Sequence, residues 1–188
     1  PRTTLAHAVH LNRCDVEIIG ERGSFLSHNP VSNLKLNSGL FAFEDLYHRL
    51  PGKVTIGTDG ASSNNNLSMI ESVKFASLAA KCQADSAVAG KAADVFRAAT
   101  SNGAAAFGLN AGEIREGAPA DCLLVDLNNP FMVPAYNLVS DLVYAADSSS
   151  IADVICNGRL VMEDRRVEGE AEIVAEARKL AEKIINLK

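Results

Sequence analysis

The chain has no tryptophan, and aromatic residues make up only 5% of it. It also lacks any run rich in lysine or arginine, and its net charge is −5. This charge pattern argues against binding to nucleic acid or to an anionic membrane surface. No apolar stretch approaches the roughly 20 residues that a helix needs to span a bilayer. The composition, 47% hydrophobic and 22% charged over 188 residues, is that of a globular protein with a buried core.

Cysteine is scarce, and no two cysteines form a CxxC pair. Scattered cysteines are typical of reduced, mostly buried thiols, so we expect a cytoplasmic protein. The cysteines are Cys14, Cys82, Cys122 and Cys156.

Strands and helices alternate through the first half of the sequence. Short apolar or β-branched runs predict the strands, and apolar residues three or four apart predict the helices. This alternation is typical of parallel strands joined by right-handed crossovers. The predicted elements are strand 3–9, helix 14–21, strand 24–28, helix 41–50, strand 54–57 and helix 67–82, the last capped by the run Asn64-Asn65-Asn66.

The second half has a different pattern. Asn157-Gly158 between two β-branched runs is a strong signal for a hairpin. The final segment predicts an amphipathic helix. The predicted elements are helices 89–99 and 101–109, strand 122–126, helix 137–146, hairpin strands 153–156 and 159–163, and helix 170–186 with Ile173, Val174, Ala177, Leu180, Ala181 and Ile184 on its apolar side.

Three of the predicted strands end next to a side chain that can bind a metal or move a proton. These side chains are His7, His28 and Asp59. Parallel strands present their carboxyl ends at one edge of the sheet, where ligands bind. Each residue also has a simpler interpretation. His7 fits an ordinary strand histidine and His28 a loop histidine before a turn, whereas Asp59 fits a turn former or a helix cap.

The other histidines carry less information. His10 forms HxxH with His7, a weak metal signal by itself, and His48 lies within a predicted helix where we expect it to be solvated. The carboxylate of Asp59, in the segment GTDG, could ligate Zn²⁺ or Fe²⁺, with the glycines letting the backbone come close.

Three stretches together resemble the last three barrel strands of the amidohydrolase superfamily: LAHAVHL, SHNPVSNLKLNSG and IGTDGASSNNNLSMIESVKFASL. The nearest resemblance is to the chlorohydrolase-like branch, among deaminases of methylthioadenosine and S-adenosylhomocysteine. It implies an α/β fold: strands 6–8 of a (β/α)8 TIM barrel, followed by the C-terminal strands of a small β-sandwich. The expected boundaries are 1–110 for the barrel part, 111–168 for the sandwich and closing segment, and 169–188 for a C-terminal helix.

The resemblance implies hydrolytic removal of an exocyclic amino group from a purine. Asp59 would ligate the metal, zinc or Fe(II), and accept the proton of the attacking water, while His7 would hydrogen-bond that water or the tetrahedral intermediate. His28 and Asn29 would shape the mouth of the barrel without binding the metal. Residues 62–64 would either orient Asp59 or cap the next helix. No substrate-binding residue is implied.

The family's other metal ligands do not occur in this sequence. It contains no HxH and no HxxE, and it begins at Pro1. We therefore expect the C-terminal portion of a longer enzyme, inactive alone and without a tightly bound metal. Its open barrel edges would pair with an N-terminal half or form a homo-oligomer. A guanine deaminase, a triazine chlorohydrolase and a non-catalytic structural or regulatory half-barrel remain open alternatives.

Overall fold

The computed structural model describes residues 3–186. Its first half alternates short strands with helices, as the sequence predicts. The elements are β1 (Thr4–Ala6), α1 (Arg13–Arg22), β2 (Phe25–His28), α2 (Pro30–Lys35), α3 (Phe43–Arg49), β3 (Val54–Ile56), α4 (Ala61–Asn64) and α5 (Met69–Ala84).

The three strands of this half form a parallel sheet in the order β1-β2-β3. The register pairs Thr4 with Phe25 and His28 with Ile56. The parallel arrangement predicted from the β-α alternation is therefore confirmed. Because the strands run in the same direction, their carboxyl ends, and the residues that follow them, lie at one edge of the sheet.

Local hydrogen bonds explain where α1 begins and ends. The side chain of Asn12 accepts the backbone N–H of Asp15, and the Asp15 carboxylate accepts the backbone N–H of Asn12, which makes a capping box. The helix ends at Gly23, whose φ of 63° is the left-handed conformation that glycine adopts at low cost.

The prediction that the asparagine run caps α5 is wrong. The helix begins at Met69, and the Ser68 hydroxyl accepts the backbone N–H of Glu71. Asn64 is instead the buried last residue of α4, a helix that the sequence did not predict. Asn66 accepts the backbone N–H of Ser68, which holds the turn before the helix. A serine closer to the helix thus supplies the cap.

The core lies between the parallel sheet and the surrounding helices. Leu26 of β2 and Val54 of β3 are fully buried and pack with Phe41, Phe43 and residues of the later helices. Those later helices are α6 (Ala92–Ala99), α7 (Ser101–Phe107) and α8 (Leu138–Tyr144). Asn102 ties α7 to the sheet, because its side-chain amide donates a 2.9 Å hydrogen bond to the carbonyl oxygen of Val54.

A second sheet forms from the last three strands, which are antiparallel in the order β4-β5-β6. The strands are β4 (Cys122–Val125), β5 (Ile151–Cys156) and β6 (Arg159–Met162), and the predicted Asn157-Gly158 hairpin joins the last two. Asp121 accepts the backbone N–H of Asn157 and holds this turn against the start of β4. Whether this sheet belongs to a β-sandwich stays a prediction.

The last helix, α9 (Glu170–Ile185), forms where the sequence predicts it, and its apolar side is left exposed. None of its residues is buried, and Ile173 and Ile184 are about two-thirds exposed, at 64% and 63%. Within the described part of the chain, no element covers this helix. Across residues 3–186, no helix combines the length and apolarity required to cross a membrane.

The expectation of mostly buried cysteines is also wrong. Cys14, Cys82 and Cys156 are exposed, and Cys122 is half-buried at the start of β4. All four thiols are unpaired. Burial failed as a prediction because three of the cysteines lie on outward positions of helices or at a strand end. The cytoplasmic location inferred from them stays a prediction.

Candidate active site

The parallel sheet places His7, just beyond the end of β1, close to the turn that follows β3 and carries Asp59. Beyond the end of β1, the backbone N–H of His7 donates to the carbonyl oxygen of Ser27 at 2.9 Å. Beyond the end of β3, the N–H of Gly57 donates to the carbonyl oxygen of His28 at 2.9 Å. The sheet register therefore continues into the loops. It places Nε2 of His7 3.8 Å from Oδ2 of Asp59.

The turn that carries Asp59 needs glycine at position 57. A Cβ added to Gly57 would lie 2.6 Å from Oδ1 of Asn29 and 3.1 Å from Oγ of Ser27. Glycine at position 57 therefore allows the backbone after β3 to lie close to Ser27 and Asn29 at the end of β2. Two residues later Asp59 adopts a left-handed φ of 62°, which is uncommon outside glycine and occurs often at functional sites.

Hydrogen bonds fix the carboxylate of Asp59. The hydroxyl of Ser32 donates to Oδ2 at 2.6 Å, and the backbone N–H of Gly60 donates to Oδ1 at 2.7 Å. The Ser32 hydroxyl, then the Gly60 N–H, and also the charge of His7 hold the pKa of Asp59 below its usual range. Asp59 is therefore ionised at neutral pH, in the form that binds a cation or accepts a proton.

Residues after the turn support it in part. The Asn64 side-chain amide donates to the carbonyl oxygen of Thr58 at 2.8 Å, and a hydrogen bond from Ser63 also lowers the pKa of Asp59. Ser62 contributes its carbonyl oxygen, which accepts a 3.0 Å hydrogen bond from Nζ of Lys35. Of the two roles open for residues 62–64, Ser63 and Asn64 contact the Asp59 turn, and α5 is capped instead by Ser68.

His7 is held from its other side by α2. Its Nδ1 lies 2.7 Å from Oδ1 of Asn33. The backbone of His7 is left-handed, with φ of 67°, so its imidazole leaves the line of β1. The side chains of His7 and Asp59 keep 41% and 27% of their exposure, so solvent or a small molecule can reach both.

His28 is not the loop histidine that the sequence suggests. It is the last residue of β2, only 2% exposed, and its ring stacks on Phe41 with centroids 4.5 Å apart. Both ring nitrogens lack a hydrogen-bond partner among the described residues. Burial, and secondarily the charge of His7, lowers the pKa of His28 to about 3, so the ring is neutral.

The remaining histidines lie away from the pair of His7 and Asp59. Nε2 of His10 donates to the carbonyl oxygen of Ser38 at 2.9 Å. His48 is exposed on α3 and pairs with Glu44, so the expectation that it is solvated is confirmed.

Sequence reasoning missed Ser32 and Asn33, the two residues that contact Asp59 and His7. The pair Asn29-Pro30 reads as a turn, but Pro30 is instead the first residue of α2, a position that proline favours because its missing N–H has no helical partner there. Helix α2 then points Ser32 and Asn33 at the site. The one available signal was the segment HNPVSNLKL, which contains both residues and carries the family resemblance.

The site contains part of what a metal centre needs. The ionised carboxylate of Asp59 suits Zn²⁺ or Fe²⁺, and His7 lies beside it. Between Thr3 and Asn186, however, no group of three or more His, Cys, Asp or Glu side chains is placed to hold a metal ion. Catalytic zinc usually has three protein ligands and one open position. Asp59 thus fits as one ligand of such a centre, and the described residues do not complete the set.

The chain resembles known proteins in both sequence and fold. Residues 1–161 match the amidohydrolase family. The chain is 41% identical to the 5-methylthioadenosine/S-adenosylhomocysteine deaminase 1 of Archaeoglobus fulgidus, over 97% of the chain and 44% of that protein. It is 42% identical to the 5'-deoxyadenosine deaminase of Methanospirillum hungatei JF-1, over 98% of the chain and 41% of that protein. An adenosine deaminase from Xanthomonas campestris, crystallised with bound zinc, has a TM-score of 0.92 at 35% identity, covering 97% of the chain and 42% of its own length.

The chain belongs to the amidohydrolase family. It spans less than half the length of the curated relatives it matches, 44% and 41% for these two. Its mixed α/β architecture, with a parallel sheet, matches that of a solved structure from this family.

Proposed function

We propose that this chain supplies Asp59 and His7 to the active site of a metal-dependent aminohydrolase that deaminates adenosine-type purines. The observation that carries the proposal is the ionised carboxylate of Asp59, held by two hydrogen bonds and 3.8 Å from the imidazole of His7. The two deaminase relatives favour methylthioadenosine, S-adenosylhomocysteine or 5'-deoxyadenosine as the substrate class.

Hydrolytic deamination needs a water that attacks the ring carbon and a proton that reaches the departing amino group. A zinc or Fe(II) ion, when bound, would lower the pKa of that water to about 7. Asp59 would be one of the ion's ligands and would accept the proton of the water, because its own pKa keeps it ionised. His7 would hold the water beside Asp59 through Nε2.

We extend the proposal to the fold. Strands β1, β2 and β3 would be strands 6–8 of a TIM barrel, within a unit spanning 1–110. The β4-β5-β6 sheet would belong to a small β-sandwich within 111–168, and 169–188 would form a separate terminal helix. The parallel register and the carboxyl-edge site support the barrel, and the antiparallel hairpin supports the sandwich.

The proposed site also needs partners. In the described sheet, β1 and β3 each have one edge without a neighbouring strand. Unpaired edges favour association with further strands. We propose that the rest of the barrel, carrying the HxH ligands, covers these edges, and that a homo-oligomer forms through them when it is absent. Without those ligands the chain would neither hold a metal tightly nor turn over substrate.

The test is ammonia release in a reconstituted enzyme. The chain is purified alone, and also after co-expression with the part of the Archaeoglobus fulgidus relative that lies outside the matched region. Both samples are assayed with methylthioadenosine, S-adenosylhomocysteine and 5'-deoxyadenosine, with guanine and a chlorinated triazine as competing substrate classes. We expect deamination of an adenosine-type substrate in the co-expressed sample only.

Matched variants locate the activity. Asp59→Asn in the co-expressed sample should abolish turnover, whereas Asp85→Asn, which changes the residue that ends α5 away from the site, should leave it unchanged. Turnover of guanine or the triazine alone would contradict the substrate class. Ammonia release by the chain alone would contradict the need for a partner. A purified, folded complex without turnover of any substrate would favour a structural or regulatory half-barrel.

A further inference from the structure

The hydrogen bond between Asn33 and His7 determines which ring nitrogen of His7 carries the proton. Oδ1 of Asn33 lies 2.7 Å from Nδ1 of His7, and an amide oxygen can only accept. A hydrogen bond at this distance therefore requires a proton on Nδ1. In neutral His7, the other nitrogen, Nε2, is then unprotonated and is the atom that faces Asp59.

The position of Asn33 is fixed by its own backbone. Its N–H donates to the carbonyl oxygen of Asn29 at 3.0 Å, and its carbonyl oxygen accepts the N–H of Ser38 at 2.9 Å. The residue is only 2% exposed. These bonds set the backbone of Asn33, whose side-chain Nδ2 is buried without a partner among the described residues. The neighbouring residue, Ser32, makes the hydrogen bond to Asp59, so one turn of α2 holds both side chains of the site.

The resulting arrangement has a chemical consequence. Nε2 of neutral His7 and Oδ2 of Asp59 are both hydrogen-bond acceptors, and at 3.8 Å they do not bond to each other. Two neighbouring acceptors suit a small molecule that donates two hydrogen bonds, and water is such a donor. The same arrangement would repel an oxyanion, because neither atom can donate to it.

We propose that Asn33 is a positioning residue that keeps His7 in the Nδ1–H tautomer, so that Nε2 of His7 and the carboxylate of Asp59 accept hydrogen bonds from the two hydrogens of one water molecule. The role of that water in deamination rests on the proposed function. The tautomer itself does not, because it follows from the hydrogen bond of Asn33 alone.

The tautomer can be measured directly in the 188-residue chain. Protonated and unprotonated ring nitrogens of histidine give well-separated ¹⁵N signals in long-range ¹H–¹⁵N correlation spectra. Spectra of the ¹⁵N-labelled chain are recorded about two pH units above the ordinary histidine pKa of about 6.5, where neutral rings dominate. His7 is assigned by the signal that disappears in His7→Gln. We expect Nδ1 of His7 to be protonated and Nε2 to be unprotonated.

Three variants separate positioning from general structure. Asn33→Leu removes the acceptor, so His7 should move toward the Nε2–H form that free imidazole favours. Asn33→Asp keeps an acceptor oxygen and should preserve the Nδ1–H form. Ser32→Ala removes the neighbouring hydrogen bond to Asp59 and should leave the tautomer of His7 unchanged. In the reconstituted enzyme, Asn33→Leu should lower kcat with little change in KM. Asn33→Asp should lower kcat less than Asn33→Leu does.

The outcomes distinguish this proposal from the proposed function. An Nε2–H form of His7 in the wild-type chain would mean that the Asn33 amide is oriented the other way and would overturn the proposal. An unchanged tautomer in a folded Asn33→Leu chain would overturn it as well. The wild-type spectrum decides the tautomer even if Asn33→Leu does not fold. A complex that fails to deaminate any purine would contradict the proposed function and leave the tautomer assignment in place.

Discussion

The buried histidine at the end of β2 should make the fold sensitive to mild acid. His28 is 2% exposed, and burial together with the charge of His7 lowers its pKa to about 3. In the unfolded chain a histidine has a pKa of about 6.5. Between these two values the unfolded chain binds a proton that the folded chain does not bind, so stability falls as the pH falls.

The size of this effect follows from the two pKa values. A full proton difference changes the free energy of unfolding by about 1.4 kcal/mol for each pH unit. Between about pH 6.5 and pH 4.5, the loss due to His28 should be roughly 2 kcal/mol, because protonation of the unfolded chain is half complete at the start. Such a loss is a large fraction of the roughly 5–15 kcal/mol that stabilises a typical domain.

Urea unfolding at a series of pH values measures this loss. The wild-type chain is compared with His28→Phe, which keeps an aromatic ring stacked against Phe41 but cannot bind a proton. Any packing change in His28→Phe is independent of pH, so only the slope of stability against pH is compared. The variant should be less sensitive to acid than the wild type by roughly 2 kcal/mol over this range.

A second histidine provides the control. His48 is exposed on α3, so His48→Gln should leave the pH dependence nearly unchanged, apart from the small contribution of its surface pair with Glu44. Equal pH dependence in the wild type and in His28→Phe would refute the reasoning. It would mean that His28 accepts a proton in the folded chain as readily as in the unfolded one.

Two further predictions concern single contacts that shape the site and the core. Gly57→Ala places a Cβ 2.6 Å from Oδ1 of Asn29, so we expect the free energy of unfolding, measured with urea, to fall by about 1–3 kcal/mol. Gly60→Ala is the control: its Cβ would meet nothing within 4 Å, so it should change stability by less than about 0.5 kcal/mol. Asn102→Ala removes the buried donor to the Val54 carbonyl and should cost about 1–3 kcal/mol, whereas Asn128→Ala at an exposed position should change stability by less than about 0.5 kcal/mol. Equal effects of Gly57→Ala and Gly60→Ala would contradict the packing argument, and equal effects of Asn102→Ala and Asn128→Ala would contradict the hydrogen-bond argument.

Much of the fold could be predicted from local patterns. The three parallel strands follow from short β-branched runs separated by helical spacing, and the Asn157-Gly158 hairpin follows from turn chemistry. These features are decided by residues close together in the sequence, so the sequence shows them directly. Strand and helix bounds differ from the predictions by only a few residues, because the ends depend on individual capping hydrogen bonds.

The failures concern contacts between distant parts of the chain. The hydrogen bond from Ser32 to Asp59 joins residues 27 positions apart. Its donor lies on α2, a short helix that was not predicted because its first residues, with Pro30, are typical of a turn. In the sequence, His28 resembles a loop histidine, because its burial depends on Phe41, which lies elsewhere in the chain. The amphipathic spacing of α9 shows which side is apolar but not whether another element covers it, and in the structure none of its residues is buried.

The candidate site was predictable in part. His7 and Asp59 follow from their positions after parallel strands, because carboxyl ends meet at one edge. Asn33 and the tautomer that it sets depend on the orientation of α2, which no local pattern specifies. The distance of 3.8 Å between Nε2 of His7 and Oδ2 of Asp59 likewise required the structure.

The central claim is that Asp59 ligates a metal ion in a site completed by residues outside this chain. The most direct measurement is the metal content, by mass spectrometry, of the chain co-purified with the unmatched part of the Archaeoglobus fulgidus relative. We predict about one zinc or iron ion per wild-type complex, as a mononuclear catalytic site requires, and loss of that ion in a folded Asp59→Asn complex. Equal metal content in the wild-type and Asp59→Asn complexes would contradict the claim.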